Sequence, residues 1–234
     1  GLDLLGTQNQ LVQKIHETGV PTIVVLVGGR PLSVNWIAQN VQALVQAWEP
    51  GSLGGRALAN ILAGKVNPSA KLPISIPRHS GQIQMIYNHK PSQYFHKYID
   101  GPSTPLYPFG FGLSYTRFAY SSLKLSHTRI SDKDSFTASI ELTNVGDREG
   151  TEVVQLYIRD IYSSATRPVK ELKDFARVTL KPGEKKTVTF TVTPDKLAYW
   201  NRNMQYGVEK GEFEIMIGSS SQDKDLKKVK MEVL

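Results

Sequence analysis

Only three carboxylates fall in the first 77 residues: Asp3, Glu17 and Glu49. Splitting an acetal by acid–base or nucleophilic chemistry takes two carboxyl groups, about 5–5.5 Å apart for a double displacement and about 6.5–9.5 Å apart for a single one. Asp3 sits at the extreme end of the chain, and Glu17 belongs to the polar face of an amphipathic segment. Glu49 follows a strand-like run, at the end where α/β sheets place ligands. It is therefore a weak substrate-binding candidate, although a loop-capping or helix-dipole role is favoured. The histidines, at 16, 79, 89, 96 and 127, are scattered. His89 and His96 are near each other but have no acidic partners at ligand spacing, so no metal is expected. No Gly-x-Ser-x-Gly elbow marks a serine nucleophile. The Gly28-Gly29-Arg30 and Gly51-Ser52-Leu53-Gly54-Gly55 stretches lack the spacings of dinucleotide and phosphate loops and read as tight turns. No catalytic residue is assigned within the chain, and no cofactor is expected.

Aromatic residues are the other notable group. Tyr87, Tyr94, Phe95, Tyr98, Tyr107, Phe109, Phe111 and Tyr115 crowd residues 78–117, which otherwise lack periodicity. Such rings could stack on pyranose faces, and Tyr94 and His96 are kept as weak substrate-binding candidates. Packing between layers is the favoured reading. A structureless stretch this long is usually functional or a strap between domains, and its aromatic content argues for order.

The elements flanking that stretch differ in kind. Thr7 and Gln10 form a capping-box pattern ahead of Leu11, Val12 and Ile15, and Gly19-Val20-Pro21 ends the helix. Thr22–Val27 is a β-branched run of the kind buried on both faces of a parallel sheet. A short helix at 35–39, a buried strand at Ala43–Trp48 and a helix at Leu53–Ala63 follow. The last would turn Ala57, Leu58, Ile61 and Leu62 inward and stop at Gly64. This is α/β order, with too few strands for a whole domain. From Phe118 the period becomes two. Strands are expected at 122–126, 136–143, 153–159, 174–180, 187–192, 213–218 and 228–233, separated by Asn144-Val145-Gly146, Lys181-Pro182-Gly183 and Glu209-Lys210-Gly211. Thr193 and Pro194 should cap and open one short helix. Seven short strands in this length predict an immunoglobulin-like sandwich without its disulfide, since the chain has no cysteine.

The 234 residues carry a formal charge of +7. Residues 1–117 hold nine Lys/Arg against four Asp/Glu, and residues 118–234 hold nineteen against seventeen. Basic residues do not cluster into a stripe, so no nucleic-acid partner is expected. Without a run of 18 apolar residues, no membrane partner is expected either.

Several motifs together resemble glycoside hydrolase family 3. They are Gly28-Gly29-Arg30-Pro31-Leu32, Ala47-Trp48-Glu49-Pro50-Gly51 through Pro77, and Tyr87-Asn88-His89-Lys90-Pro91. Tyr98-Ile99-Asp100, Leu106–Phe118, Asn144–Gly150, Arg167–Leu172 and Leu180–Glu184 complete the set. The nearest likeness is to bacterial periplasmic-type β-glucosidases. Two departures stand out: Ala70 replaces the usual Gly, and Ser52-Leu53 replaces a common pair ending in Glu.

The resemblance implies a division into residues 1–77, the C-terminal half of the family's α/β sandwich domain; 78–117, an ordered connector; and 118–234, a fibronectin III-like sandwich. It also implies a C-terminal piece of a retaining β-glucosidase-type hydrolase whose catalytic Asp and Glu lie upstream of Gly1, so the piece alone should be inactive. The expected partners are an oligosaccharide or glucoside substrate and the missing N-terminal barrel domain. The expected location is periplasmic or secreted, with any signal peptide in the missing part. An open sheet edge would favour a homo-oligomer. The alternative reading is a non-catalytic carbohydrate-binding or adhesive module.

Overall fold

The computed structural model describes residues 1–82, 84–91, 98–99 and 101–234. It divides into two compact units. One contains residues 1–66, 74–85 and 98–108; the other contains 67–73, 86–97 and 109–234.

The first unit alternates α1 (Gln8–Glu17), β1 (Ile23–Val27), α2 (Asn35–Asn40), β2 (Ala43–Trp48) and α3 (Gly54–Leu62). β1 and β2 pair in parallel, with Ile23 opposite Ala43 and a bulge between Leu26 and Val27. Leu26, Val34 and Ile37 form its small core, with Val12, Val24 and Leu44 packed against it. β1 is not buried on both faces: Ile23 is 50% exposed and Val27 63%. A two-stranded sheet has only edge strands, so little covers them. The same shortage of layers leaves Ala57 and Leu62 of α3 exposed and Leu58 and Ile61 half-buried, rather than all four inward. Gly64 does stop this helix, at φ +69°.

Thr7 occupies the N-cap of α1 without a side-chain bond. Its ψ of 12° departs from the extended conformation that aims a capping hydroxyl at the third residue. The Leu5 carbonyl accepts the first helical N–H instead.

In the second unit, β3 (Phe118–Tyr120) and β4 (Lys124–Leu125) share one edge of β6 (Phe136–Asn144), and β9 (Lys185–Val192) covers the other. The facing sheet runs β5 (Arg129–Ile130), β13 (Leu226–Val233), β12 (Gly211–Gly218), β7 (Gly150–Asp160) and β8 (Glu171–Leu180). Every pairing is antiparallel except β5 with β13. Phe136, Ile140 and Leu142 of β6 meet Val154, Leu156 and Ile158 of β7 and Phe213, Ile215 and Ile217 of β12 in one core. The single-turn helix α4 (Pro194–Leu197) has Pro at its start, but Thr193 makes no side-chain cap. Its carbonyl accepts the Lys196 N–H instead, at 3.0 Å. A hairpin of β10 (Tyr199–Trp200) and β11 (Tyr206–Gly207) follows.

The outer face of the five-stranded sheet is also covered. Tyr157 and Met216 are buried there beneath Tyr87, Phe109 and Leu172. Tyr87 stacks on Phe109 at 4.2 Å and meets the edge of Tyr157 at 5.8 Å. These two aromatics of the 78–117 stretch therefore pack as expected rather than forming an open platform. Gly110, at φ +79°, lies against Gln155, and a Cβ there would overlap Oε1. Gln155 donates to the carbonyls of Gly110 (3.1 Å) and Ser219 (2.7 Å) and accepts from the Tyr157 hydroxyl (2.5 Å).

Residues 67–73 are bound to the sandwich as well. Asn67 accepts bonds from Ser114 Oγ and Tyr115 N and donates to the Glu149 carbonyl. Lys71 pairs with Glu152 at 2.9 Å, their side chains 12% and 6% exposed, and donates to the Gly112 carbonyl. Burial pushes the Glu152 carboxyl up, with Lys71 as the largest opposing influence. Replacing Lys71 by Ala strands this carboxylate and should cost about 3–5 kcal/mol in urea unfolding. Lys14→Ala, which breaks the exposed pair with Glu17, should shift stability by less than about 1 kcal/mol.

Candidate functional site

The carboxyl ends of β1 and β2 bring the sequence-selected turns together. The Gly28 N–H bonds the Trp48 carbonyl at 2.9 Å, closing the strand pair. Trp48 takes φ +54°, a conformation costly for a large side chain, and Gly51 takes φ +71°. The Trp48 backbone thereby reverses the chain immediately beyond β2. Gly54 starts α3 against the Pro50 ring, where a Cβ would collide. Glu49 extends over the opposite turn, so that a Cβ on Gly29 would lie 2.9 Å from Oε1. Its carboxylate is exposed to water. Glu17 is tied to Lys14 at 2.7 Å, and Asp3 is exposed.

Among the described residues, this end of the sheet offers a solvated carboxylate, an indole and the exposed Arg30. Such groups can brace a loop or touch a polar ligand. They do not form a pair of carboxyls held for acid–base exchange. Tyr94 and His96, the other two sequence candidates, lie outside the described residues. Sequence reasoning missed Trp48, because no residue pattern signals a positive φ at a non-glycine position.

A second concentration of charge lies on the sandwich, and it too was not anticipated. Asp160, at the end of β7, is 9% exposed, and its Oδ2 has no hydrogen-bond partner among the described residues. The Arg167 guanidinium lies 4.4 Å over the Tyr199 ring and pairs with Glu171, while its Nε has no partner among the described residues. The Tyr199 hydroxyl donates to Glu209, which also accepts from Ser164 Oγ at 2.6 Å and Ser164 N at 3.0 Å. These bonds, with that from the Ser164 hydroxyl foremost, hold the Glu209 carboxyl below its ordinary range. Burial pushes Asp160 up to about 6, with Arg167 opposing and Glu209 and Glu171 adding to the rise. The arrangement pins residues 161–170 to the sheet.

Residues 1–115 match the Glycosyl hydrolase family 3 C-terminal domain, and residues 152–221 match a Fibronectin type III-like domain. The chain belongs to glycoside hydrolase family 3. It is 47% identical, over 99% of its length, to a β-xylosidase of Formosa agariphila, and 44% identical over 92% to a periplasmic β-glucosidase of Salmonella typhimurium. Its fold superposes on a β-glucosidase of Erythrobacter marinus with a TM-score of 0.95 at 43% identity, and on a Listeria innocua β-glucosidase in complex with glucose with 0.93 at 36%. Those alignments take in 100% and 99% of this chain. The chain spans only 29–32% of the two sequence relatives and 31–33% of the two structures. The α/β unit followed by a β-sandwich agrees with the expected fold class.

The raised Asp160 has a definite pH consequence. Between about pH 4 and 6 the folded chain retains a proton that the unfolded chain has lost, so this residue's contribution to stability falls as pH rises through that window. Asp160→Asn should remove the dependence. Denaturation curves at pH 4 and pH 7.5 should differ less for the variant, which should exceed the parent at pH 7.5 by about 1–3 kcal/mol.

Proposed function

We propose that this chain is the C-terminal part of a retaining β-glucosidase-type hydrolase that removes terminal β-linked glucosyl or related residues. One observation carries the reading: enzymes of this type match almost the whole chain, while the chain spans about a third of their length. Among the described residues of the α/β unit, Asp3 and Glu49 are exposed to water and Glu17 is paired with Lys14, so none is held against another carboxyl. The catalytic Asp and Glu would then come from sequence upstream of Gly1, together with a barrel domain, and the reaction would need no cofactor. A covalent glycosyl–enzyme route fits retention of configuration. The α/β unit would supply one wall of the substrate site at the carboxyl end of β1 and β2.

In this reading residues 1–77 complete an α/β domain, 78–117 connect, and 118–234 form the fibronectin III-like module. Exposed Ile23, Val27, Leu11 and Leu53 favour a partner layer covering the first unit. A periplasmic or secreted location is proposed from the Salmonella relative's name. A purely carbohydrate-binding or adhesive module receives less support, because Tyr87 and Phe109 pack inward.

The chain alone is expected to leave aryl β-glucosides and β-xylosides intact. Fused behind the N-terminal two-thirds of the Formosa β-xylosidase, it should restore hydrolysis of at least one of them. A folded but inactive fusion, verified by cooperative unfolding, would overturn the proposal, as would genuine turnover by the chain alone. In the active fusion, Glu49→Gln should leave KM within about twofold, as a loop brace predicts.

A further inference from the structure

A groove of about 450 Å³ opens on the sandwich, lined by Tyr115, Thr116, Arg117, Val145, Gly146 and Asp147. We propose that this groove binds a neutral oligosaccharide. Its chemistry is mixed in the way a sugar ring requires. Tyr115 is 42% exposed and Val145 51%, giving apolar surface for the C–H face of a pyranose. Arg117 offers several N–H donors and Asp147 two acceptor oxygens, and sugar hydroxyls use both. Among the described residues, neither Arg117 nor Asp147 has an ion-pair partner.

With one cationic and one anionic side chain on the same groove, the lining carries no net charge, and a neutral polyol can bond to both. Two of the groove's backbone donors are already taken: the Val145 N–H bonds the Arg117 carbonyl at 2.8 Å, and the Gly146 N–H bonds Asn144 Oδ1 at 3.1 Å.

The groove is held in shape from beneath. Asn144 is fully buried, and its amide makes four bonds. It donates to the carbonyls of Arg148 (2.7 Å) and Leu180 (2.9 Å) and accepts from Thr116 Oγ1 (2.7 Å) and Gly146 N. Tyr115 N is fixed to Asn67 Oδ1 at 2.8 Å and Thr116 N to Ser114 Oγ at 3.2 Å. A Cβ on Gly146 would collide with Thr116 Oγ1, so the two loops approach backbone against side chain. Loops fastened in this way lose little freedom when a ligand docks.

The groove's chemistry specifies a neutral sugar; the choice of glucose and xylose oligomers as probes rests on the proposed function. Cellotetraose, laminaritetraose and xylotetraose would each be titrated into the isotopically labelled 234-residue chain and followed by amide chemical shifts. At least one should bind with a Kd of about 0.1–5 mM and move the resonances of residues 115–117 and 145–147. Arg117→Ala and Asp147→Ala, both at exposed positions, should each weaken binding about fivefold or more with unchanged Tm. Trp200→Ala, at the exposed hairpin, should have no effect. Absence of shifts at about 10 mM of every probe would overturn the proposal. So would shifts confined to the Trp200 hairpin, or full affinity in a folded Arg117→Ala/Asp147→Ala double variant. None of these failures would bear on the fusion enzyme's activity, so the two proposals fall separately.

Discussion

Strand β7 is buried on both faces, and much of the second unit follows from that. Val154, Leu156 and Ile158 enter the core between the sheets, while Gln155 and Tyr157, pointing the other way, are just as buried. A sandwich of two sheets covers only the inner set. The outer set needs a third layer, which Tyr87 and Phe109 provide from a segment without regular structure. The sandwich thus has its core boundary outside residues 118–234. Excising those residues would expose an apolar tyrosine and leave the Gln155 amide without one of its carbonyl partners.

This constraint gives physical meaning to motifs whose composition suggested a role in binding. Gly110 is glycine because its backbone lies against Gln155 at positive φ. Gly112 is glycine because a Cβ would strike the Ala70 carbonyl. Asn67 joins its own segment to residues 114, 115 and 149 with one amide. These residues secure segments remote in sequence to the sandwich, and their polar groups are occupied in doing so.

Buried charge in the sandwich is handled in three ways. Lys71 and Glu152 neutralise each other at 2.9 Å. Lys170 bonds the Ser221 carbonyl at 2.9 Å and reaches the more exposed Asp223 at 2.5 Å. Asp160 has one oxygen without a partner among the described residues, and burial makes it hold its proton more tightly. The difference is geometric. Lysine reaches an acceptor by extending a flexible stem, whereas a short carboxylate at a strand end takes whatever donors the neighbouring loop presents.

Local pattern alone determined much of this protein. The period-two runs located the principal strands of the sandwich, and β2 spans Ala43–Trp48 as expected, because alternation and β-branched runs record which faces are buried. The change of period near Phe118 separated α/β from all-β sequence, and the motif set identified the family. Tertiary structure decided what local pattern does not encode. Apolar residues of β1 and α3 are exposed because burial depends on neighbouring layers, not on a run's own hydropathy. Thr7 and Thr193 sit at helix starts without side-chain caps: the Thr7 backbone is not extended at the entry, whereas Thr193 is extended and its carbonyl takes the Lys196 N–H that its hydroxyl would have accepted. The short strands β3, β5, β10 and β11 have too few residues to show a period and exist through their partners. Trp48's left-handed backbone, Asp160's stranded carboxylate and the groove beside Tyr115 arise from segments far apart in sequence or from torsions that residue identity does not specify.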